Sequence, residues 1–236
     1  IGYAGVPDDV ACADTITWTN ANSGNWSMVN NWSPNQVPGS GDAVLITNVG
    51  SYAVTLDVNA TVSGLTLGGA SGTQSFVQNA NTLTLNSSSS FGANSSYNFG
   101  GGQLTGSGTV AVNGVLNWSG GNLNGRSMTI TPGALLNLTG GSGKYLQNVL
   151  TNDGVVGGQG GNFLVDNYNG GYKGAVENMA GGLWDVQCDQ TMYDEFGGGT
   201  PYFHNAGTFQ KSAGTGTTTV SIPVNNGGNV AVQTGT

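Results

Sequence analysis

A short phrase recurs along the second half of this 236-residue chain. Each copy is a turn containing Asn and Gly, followed by a strand in which apolar and polar residues alternate. The copies are NGVLNW at Asn113, PGALLNL at Pro132, NDGVV at Asn152, NMAGGLWDVQ at Asn178, NAGTFQKS at Asn205 and NGGNVAVQ at Asn226. Their turn glycines stand at positions 114, 133, 154, 182, 207 and 228, so the phrase returns at a nearly regular interval. A β-sandwich does not require such a recurrence, whereas a solenoid with one dominant strand per coil does.

The composition favours an all-β chain. Glycine occupies 43 positions, and because each glycine inside a helix costs about 1 kcal/mol, helices are disfavoured. Runs such as YAVTLDV and TLTLN are apolar and regular enough to order. Glycine and asparagine suit the corners of the coils because both tolerate positive φ angles. We therefore predict an all-β parallel β-helix, or β-solenoid, whose coils lie about 4.8 Å apart.

The charge balance excludes two classes of partner. The net charge is −8, and the basic residues are only Arg126, Lys144, Lys173 and Lys211. A nucleic-acid surface needs clustered Lys and Arg, so no nucleic-acid partner is expected. No run approaches the roughly 20 apolar residues of a spanning helix, so we expect no membrane insertion. The low charge and abundant Asn, Ser, Thr and Gly are typical of secreted proteins, and we predict an extracellular or cell-surface location.

Three tryptophans, Trp18, Trp26 and Trp32, lie close together before the regular coils. A solenoid end exposes strand edges and a cross-section of the core, so it needs a cap. We predict an arm at 1–14, a cap segment with these aromatic residues at 15–49, and roughly nine coils at 50–236. The alternative is that the three indole rings form a surface platform on which sugar rings stack.

Both ends of the region 15–236 resemble known sequences. The segment TWTNANSGNWSMVNNWSPNQVPGSGDAVLI resembles the N-terminal part of secreted bacterial parallel β-helix repeat proteins of the autotransporter-passenger and adhesin type. HNAGTFQKSAGTGTTTVSIPVNNGGNVAVQTGT is similar to a repeat phrase of the same group. The resemblance implies a right-handed parallel β-helix outside the cell. It does not fix an activity, because such folds serve as adhesins, scaffolds, binding modules and polysaccharide-cleaving enzymes.

Our first functional hypothesis is a non-enzymatic structural or adhesive β-solenoid. The last phrase, VAVQTGT, predicts a coil with an open edge, and the arm at 1–14 matches no phrase that we recognise. Addition of the arm of one copy to the open edge of another would give a head-to-tail filament. Alternatively, the chain is part of a larger surface protein and is continued by further coils.

The second hypothesis is a polysaccharide-binding module, or a lyase or hydrolase of the β-helix type. Arg126 follows the turn glycine at 114 by nearly the same interval as Lys144 follows the turn glycine at 133. The spacing therefore predicts that both lie on one side of adjacent coils, near Tyr145. Lys173 beside Tyr172 would extend this face, giving a groove for a glycan. Ordinary solvated side chains are the simpler interpretation of these residues.

The segment from Trp184 to His204 holds an acidic loop and the chain's one histidine. Strand alternation gives Asp185 and Asp189 a shared outward face, where carboxylates could bind calcium. Asp194 and Glu195 are adjacent and would point to opposite faces. Because the spacing matches no calcium motif, solvated acids are the alternative, and whether any metal is bound is left open. We assign no catalytic residue, since a lone histidine without a positioned partner is weak evidence.

The two cysteines, Cys12 and Cys188, are too few for a disulfide scaffold. Alternation predicts that Cys188 points inward with Trp184 and Val186. Buried thiols, a bond between two chains and a bond within one chain all stay open.

Overall fold

The computed structural model describes residues 13–125, 127–168 and 171–236, which form a parallel β-solenoid of about nine turns. The predicted all-β solenoid is confirmed. β1 (Thr15–Trp18), β2 (Gly24–Asn25) and β3 (Trp32–Ser33) precede the first full turn. A single 3-10 turn, Val29–Asn31, is the only helical element in the described part of the chain. Each full turn then gives one strand to each of three sheets, here A, B and C.

Sheet A has eleven strands and sheets B and C have ten and eight. Sheet A contains β1, β3, β4 (Ala43–Ile46), β7 (Gly64–Leu67), β10 (Ser89–Phe91), β13 (Val110–Val112), β16 (Met128–Ile130), β19 (Val149–Asn152), β22 (Ala175–Asn178), β25 (Phe203–Asn205) and β28 (Val224–Asn226). Sheet B contains β2, β5 (Tyr52–Thr55), β8 (Gln74–Gln78), β11 (Ser95–Phe99), β14 (Val115–Trp118), β17 (Leu135–Leu138), β20 (Val155–Gly158), β23 (Leu183–Val186), β26 (Thr208–Lys211) and β29 (Asn229–Val232). Sheet C contains β6 (Ala60–Val62), β9 (Thr82–Leu85), β12 (Gln103–Thr105), β15 (Gly121–Asn124), β18 (Lys144–Leu146), β21 (Phe163–Val165), β24 (Thr191–Tyr193) and β27 (Thr219–Val220).

Strands of successive turns pair in parallel and in register. In sheet B, Leu116 pairs with Leu136, Leu136 with Val156, and Val156 with Trp184. The sequence separation between paired residues is larger from Val156 to Trp184 because an additional loop follows β21. The two residues still occupy equivalent positions in their coils. One pair is antiparallel: β3 runs back along the outer edge of β1.

Alternate side chains of each strand enter a continuous core. Aromatic rings form a spine through it, with neighbouring ring centroids 4.9 to 6.1 Å apart. In order of contact its members are Trp18, Trp32, Trp26, Phe76, Tyr97, Phe99, Trp118, Phe163, Trp184, Phe203 and Phe209. The three early tryptophans are therefore the first members of a spine that runs the length of the stack.

The corners between sheets A and B explain the recurring Asn and Gly, but not through positive φ angles. Of the six turn glycines only Gly133 has a positive φ, of +84°, and Asn81 is the one such non-glycine residue described. A Cβ atom on Gly207 would lie 2.2 Å from the carbonyl oxygen of Met179, and one on Gly182 would lie 2.4 Å from that of Asn152. Glycine is needed there because the backbones of successive coils approach too closely for any side chain.

The asparagines of the last four corners form an inner ladder: Asn152, Asn178, Asn205 and Asn226. Each amide nitrogen of the first three donates to the side-chain oxygen of the next, at 2.7 Å in every step. Each also donates to a backbone carbonyl of the next coil, at 3.0 to 3.1 Å. The first three are buried, so the ladder joins coils through hydrogen bonds that water does not reach.

Candidate functional site

The three early tryptophans do not form a surface platform. Trp18, Trp26 and Trp32 are fully buried, and the Trp18 and Trp26 rings each lie 4.9 Å from the Trp32 ring. The indole nitrogen of Trp32 donates to the carbonyl of Trp26 at 2.8 Å. Burial leaves no ring face for a sugar, so the stacking alternative is wrong for this conformation. The cap stays a prediction, with β3 along the edge of β1 as its support.

Lys144 is not part of a surface groove. Its side chain is fully buried, and its ammonium donates to the carbonyls of Ser142 at 3.1 Å and Gly160 at 2.8 Å. Burial lowers the pKa of this amine to about 8. The reason is the strand alternation itself, because Lys144 and the core residue Leu146 share one face of the same strand.

The neighbouring Tyr145 points outward and meets the acidic loop. Its pKa is raised, first by burial and then by the nearby negative charges, of which Glu195 has the largest effect. Across successive strands of sheet C, Tyr145 pairs with Leu164, and Leu164 pairs with Tyr193. The structure thus joins one residue from each of the two site groups that the sequence predicted separately.

Two exposed rings extend this surface. Phe196 and Tyr168 are 51% and 46% exposed, with centroids 6.4 Å apart, and Tyr172 lies 6.1 Å from Phe196. Asp194 accepts the backbone N–H of Phe196 at 3.3 Å and so shapes the loop. The sequence analysis missed Phe196 and Tyr168 because no periodic pattern covers these loops.

A cleft of about 670 Å³ lies at the corner where sheet C leads into sheet A. Its lining residues come from successive coils and are Thr105, Gly106, Ser107, Asn124, Gly125, Ser127, Gln147, Asn148, Val149, Gly171 and Lys173. Of the predicted groove residues, Lys173 lines it, whereas Tyr145 and Tyr172 do not. Arg126 lies outside the described residues.

A buried polar pair lies beside this cleft, with Gln147 in its lining and Asp166 behind it. The amide nitrogen of Gln147 faces the Asp166 carboxylate at 3.4 Å, and the Glu195 N–H donates to the same carboxylate at 3.4 Å. Burial raises the pKa of Asp166, an effect only partly offset by these hydrogen bonds. The side-chain oxygen of Gln147 is buried and has no hydrogen-bond partner among residues 13–125, 127–168 and 171–236. Neither residue was predicted as a site residue.

The predicted calcium pair is not assembled. Asp185 is nearly buried and accepts the amides of Gln187 at 2.8 Å and Gln210 at 3.1 Å. Asp189 instead pairs with the Lys211 ammonium at 2.6 Å, and this hydrogen bond lowers the pKa of its carboxyl. Within the described ranges, no three His, Cys, Asp or Glu side chains lie close enough to hold a metal ion.

His204 has a partner that the sequence analysis missed. Its Nδ1 lies 2.7 Å from Glu177, which also accepts the Tyr202 hydroxyl at 2.7 Å and thereby raises the pKa of that phenol. The three residues line an open surface depression of about 440 Å³. Glu177 and His204 face each other in register on neighbouring coils, although a full coil of sequence separates them.

Cys188 is half-buried, and its thiol lies 3.6 Å from the Gln190 side-chain oxygen. Burial raises the pKa of this thiol. The alternation that predicted an inward side chain ends with β23 at Val186, so it does not reach Cys188. Cys12 lies outside the described residues, and the disulfide alternatives stay open.

These features define the class of the molecule, which is a three-sheet parallel β-solenoid with a polar cleft and a separate aromatic and acidic surface. Compared with known proteins, the chain matches no family model, no curated protein and no solved structure. No helix in the described part of the chain is long and apolar enough to cross a membrane.

Proposed function

We propose that this protein is an extracellular, non-enzymatic structural or adhesive β-solenoid. The observation that carries the proposal is the unbroken stack, in which parallel strands pair in register from β1 to β29 around one aromatic spine. Such a stack is stiff because each coil is held to its neighbours on three sides. Rigid presentation of a surface is what a spacer or adhesin requires.

The ionisable side chains support a structural role because they hold coils together. Lys211 pairs with Asp189 across neighbouring coils, and His204 pairs with Glu177 in the same way. Lys144 bonds two carbonyls inside the stack. These groups are dispersed over different sheets and are occupied by scaffold contacts.

The edge formed by β28 and β29 supports continuation of the stack. Val230 pairs with Phe209, and Val232 pairs with Lys211, so both valines occupy core positions. They are nevertheless 53% and 61% exposed, and no strand in the described part of the chain pairs with the far side of β29. Covering them with another coil would contribute on the order of 2 kcal/mol per side chain.

We propose that further β-coils cover this edge, supplied either by the same polypeptide or by a second copy. Strand addition by the arm of another copy is the second-copy version. That arm falls almost wholly outside the described residues, so head-to-tail assembly through it stays a prediction.

Light scattering after size exclusion, together with electron microscopy, tests the second-copy version on the purified chain. We expect assemblies that grow with concentration and that disappear in the double variant V230K/V232K. V155K is the matched control, because Val155 is an exposed valine on the outer face of sheet B rather than at the edge. Assemblies that persist in the double variant, or wild-type chains that stay monomeric at every concentration, would contradict stacking of a second copy on this edge.

The extracellular location has its own test. Antibody labelling of intact cells of the source organism should detect the protein without permeabilisation. Labelling only after permeabilisation would contradict the location.

A further inference from the structure

We propose that the cleft between sheets C and A is a binding site for an uncharged, hydroxyl-rich oligosaccharide, with Gln147 and Lys173 as its recognition residues. This site is independent of how the solenoid assembles. It is distinct from the aromatic and acidic surface formed by Tyr145, Glu195 and Phe196.

The shape of the cleft favours an extended ligand. Its lining comes from successive coils, which are spaced about 4.8 Å apart along the axis. The cleft is therefore longer than a single sugar ring, and its volume of about 670 Å³ lies within the range of small-ligand sites. A chain of several sugar units would follow the direction in which the coils stack.

The lining favours a polar, hydroxyl-rich ligand. Its side chains are amides, hydroxyls and one ammonium, with Val149 as the single aliphatic residue and no aromatic residue among the described lining. Amides and hydroxyls both donate and accept hydrogen bonds, which matches the alternating donors and acceptors of a sugar. Such a lining offers little to an apolar ligand.

The unpaired oxygen of Gln147 defines what the ligand must present. Because the amide nitrogen faces the Asp166 carboxylate, exchanging the two amide atoms would place an acceptor against an acceptor. The oxygen is therefore held in place, and it is buried without a partner in the described part of the chain. A buried acceptor left unpaired costs free energy, so a ligand O–H that reaches this oxygen, once the atoms covering it move aside, recovers that cost. An ionised carboxylate has no donor to offer.

The charge of the site also argues for a neutral ligand. Lys173 is a described lining residue, and the buried Asp166 carboxylate lies 3.4 Å from the amide nitrogen of Gln147. The whole chain carries a net charge of −8, which repels polyanions. Lys173 thus acts as a donor to sugar oxygens rather than as a neutralising charge.

The backbone holds this arrangement in place. The N–H of Lys173 donates to the carbonyl of Gln147 at 3.1 Å, which ties the loop after β21 to the lining of the cleft. Thr105 and Asn124 pair in register, and the Thr105 hydroxyl donates to the Asn124 carbonyl at 3.0 Å. The two recognition residues are therefore joined by a backbone hydrogen bond. Thr105 and Asn124, in the earlier coils that line the cleft, are joined by a hydrogen bond of their own.

Calorimetric titration of the full chain with β-linked hexasaccharides of glucose, mannose and xylose tests the proposal, with a hexagalacturonate as the acidic probe. We expect at least one neutral hexasaccharide to bind, with an affinity that added salt does not change. Q147M and K173M should each weaken binding about tenfold, the effect of about one net hydrogen bond. N137A, on the outer face of sheet B, is the control and should bind like the wild type.

Each other result would overturn the assignment. Binding that is equally strong in Q147M and K173M would place the ligand elsewhere. Binding of hexagalacturonate alone, weakened by salt, would exclude a neutral ligand. Failure of the three neutral hexasaccharides and of a wider neutral-glycan array to bind would exclude the site. Because Lys173 is exposed, K173M keeps the test valid even where Q147M unfolds.

Discussion

The N-terminal coils (β4 to β15) and the C-terminal coils (β16 to β27) have the same three-sheet plan but bury different side chains. The buried polar residues of the N-terminal coils include the neutral Gln74, Gln78, Ser89 and Ser95. The C-terminal coils bury Lys144, Asp166, Asp185 and Lys211, together with most of the inner asparagine ladder. The aromatic spine runs through both. The apolar core is thus common to all coils, and most of the buried charged side chains lie in the second half, with Asp42 beside β4 as the exception in the first.

The C-terminal coils also include the longest ones. The stretch of chain between the paired residues Ala111 and Thr129 is short, whereas the steps from Thr151 to Glu177 and from Glu177 to His204 are both longer. The additional residues form loops outside the sheets, which contribute the exposed rings of Tyr168 and Phe196 and one wall of the cleft. The exposed rings and one wall of the cleft therefore lie where the repeat is least regular.

The largest expected effect contrasts two asparagine ladders. N178A removes a buried side chain that bonds the coils on both sides, and we expect a loss of roughly 3 kcal/mol in the free energy of unfolding. N117A breaks the outer ladder of sheet B, where Asn117 bonds Asn98 at 2.9 Å and Asn137 at 2.8 Å. Water can replace those contacts, so its cost should stay below about 1 kcal/mol. Chemical denaturation measures both, and equal losses would contradict the distinction.

The second prediction concerns Lys144. Its folded-state pKa of about 8 lies below the value of about 10.4 expected in the unfolded chain. Between these values the unfolded state binds more protons, so stability should rise with pH by roughly 3 kcal/mol. K144M should lose this rise, and K173M, at an exposed lysine, should keep it.

Denaturation of the three proteins at pH 7.5, 9 and 10.5 measures the slopes. A K144M slope identical to that of the wild type would show that Lys144 is not the group responsible.

A third prediction compares two aspartates whose pKa values shift in opposite directions. Burial raises the pKa of Asp166, so its contribution to stability is lost as pH rises through that pKa. D166N should therefore be more stable than the wild type at pH 7 and should lose this advantage in acid.

Asp57 behaves in the opposite way. Burial alone would raise its pKa, but the hydrogen bonds from the hydroxyl and N–H of Ser27, at 2.6 and 3.0 Å, outweigh burial and lower it. Its stability contribution is present above the unfolded pKa and is lost as pH falls through the folded one. D57N should thus be less stable than the wild type at pH 7. Thermal unfolding at pH 3 and pH 7 measures both variants, and the same sign for the two would contradict the comparison.

The smallest expected effect separates two tryptophans of the spine. The indole nitrogen of Trp118 donates to the carbonyl of Gly120 at 3.1 Å, whereas that of Trp184 has no partner in the described ranges. Both changes to phenylalanine leave a similar cavity, but only W118F breaks a hydrogen bond. W118F should therefore cost about 1 kcal/mol more than W184F in chemical denaturation. Equal costs would indicate that the Trp118 bond contributes nothing.

Much of the architecture was predictable because each coil repeats a local pattern. The spacing of the turn glycines matches the steps between paired strands, including the long step from Val156 to Trp184. Strand alternation could also have predicted that Lys144 is buried, because it shares one face of its strand with the core residue Leu146. The inner ladder could have been read from an asparagine that recurs before each of the last four turn glycines. Only the structure shows why asparagine recurs there: its side chain forms a hydrogen bond to the next coil, and it does not adopt a positive φ.

The candidate site was far less predictable. Gln147 and Lys173 are distant in the chain and come together through a loop that follows no repeat. The sequence alone determined an all-β solenoid, because strand alternation and a recurring turn act over a few neighbouring residues. Only the tertiary structure decided which side chains meet across coils. Those partners are a full coil apart in the chain, and loops of varying length lie between them. A shift of one position in register would move every one of those side chains to the opposite face.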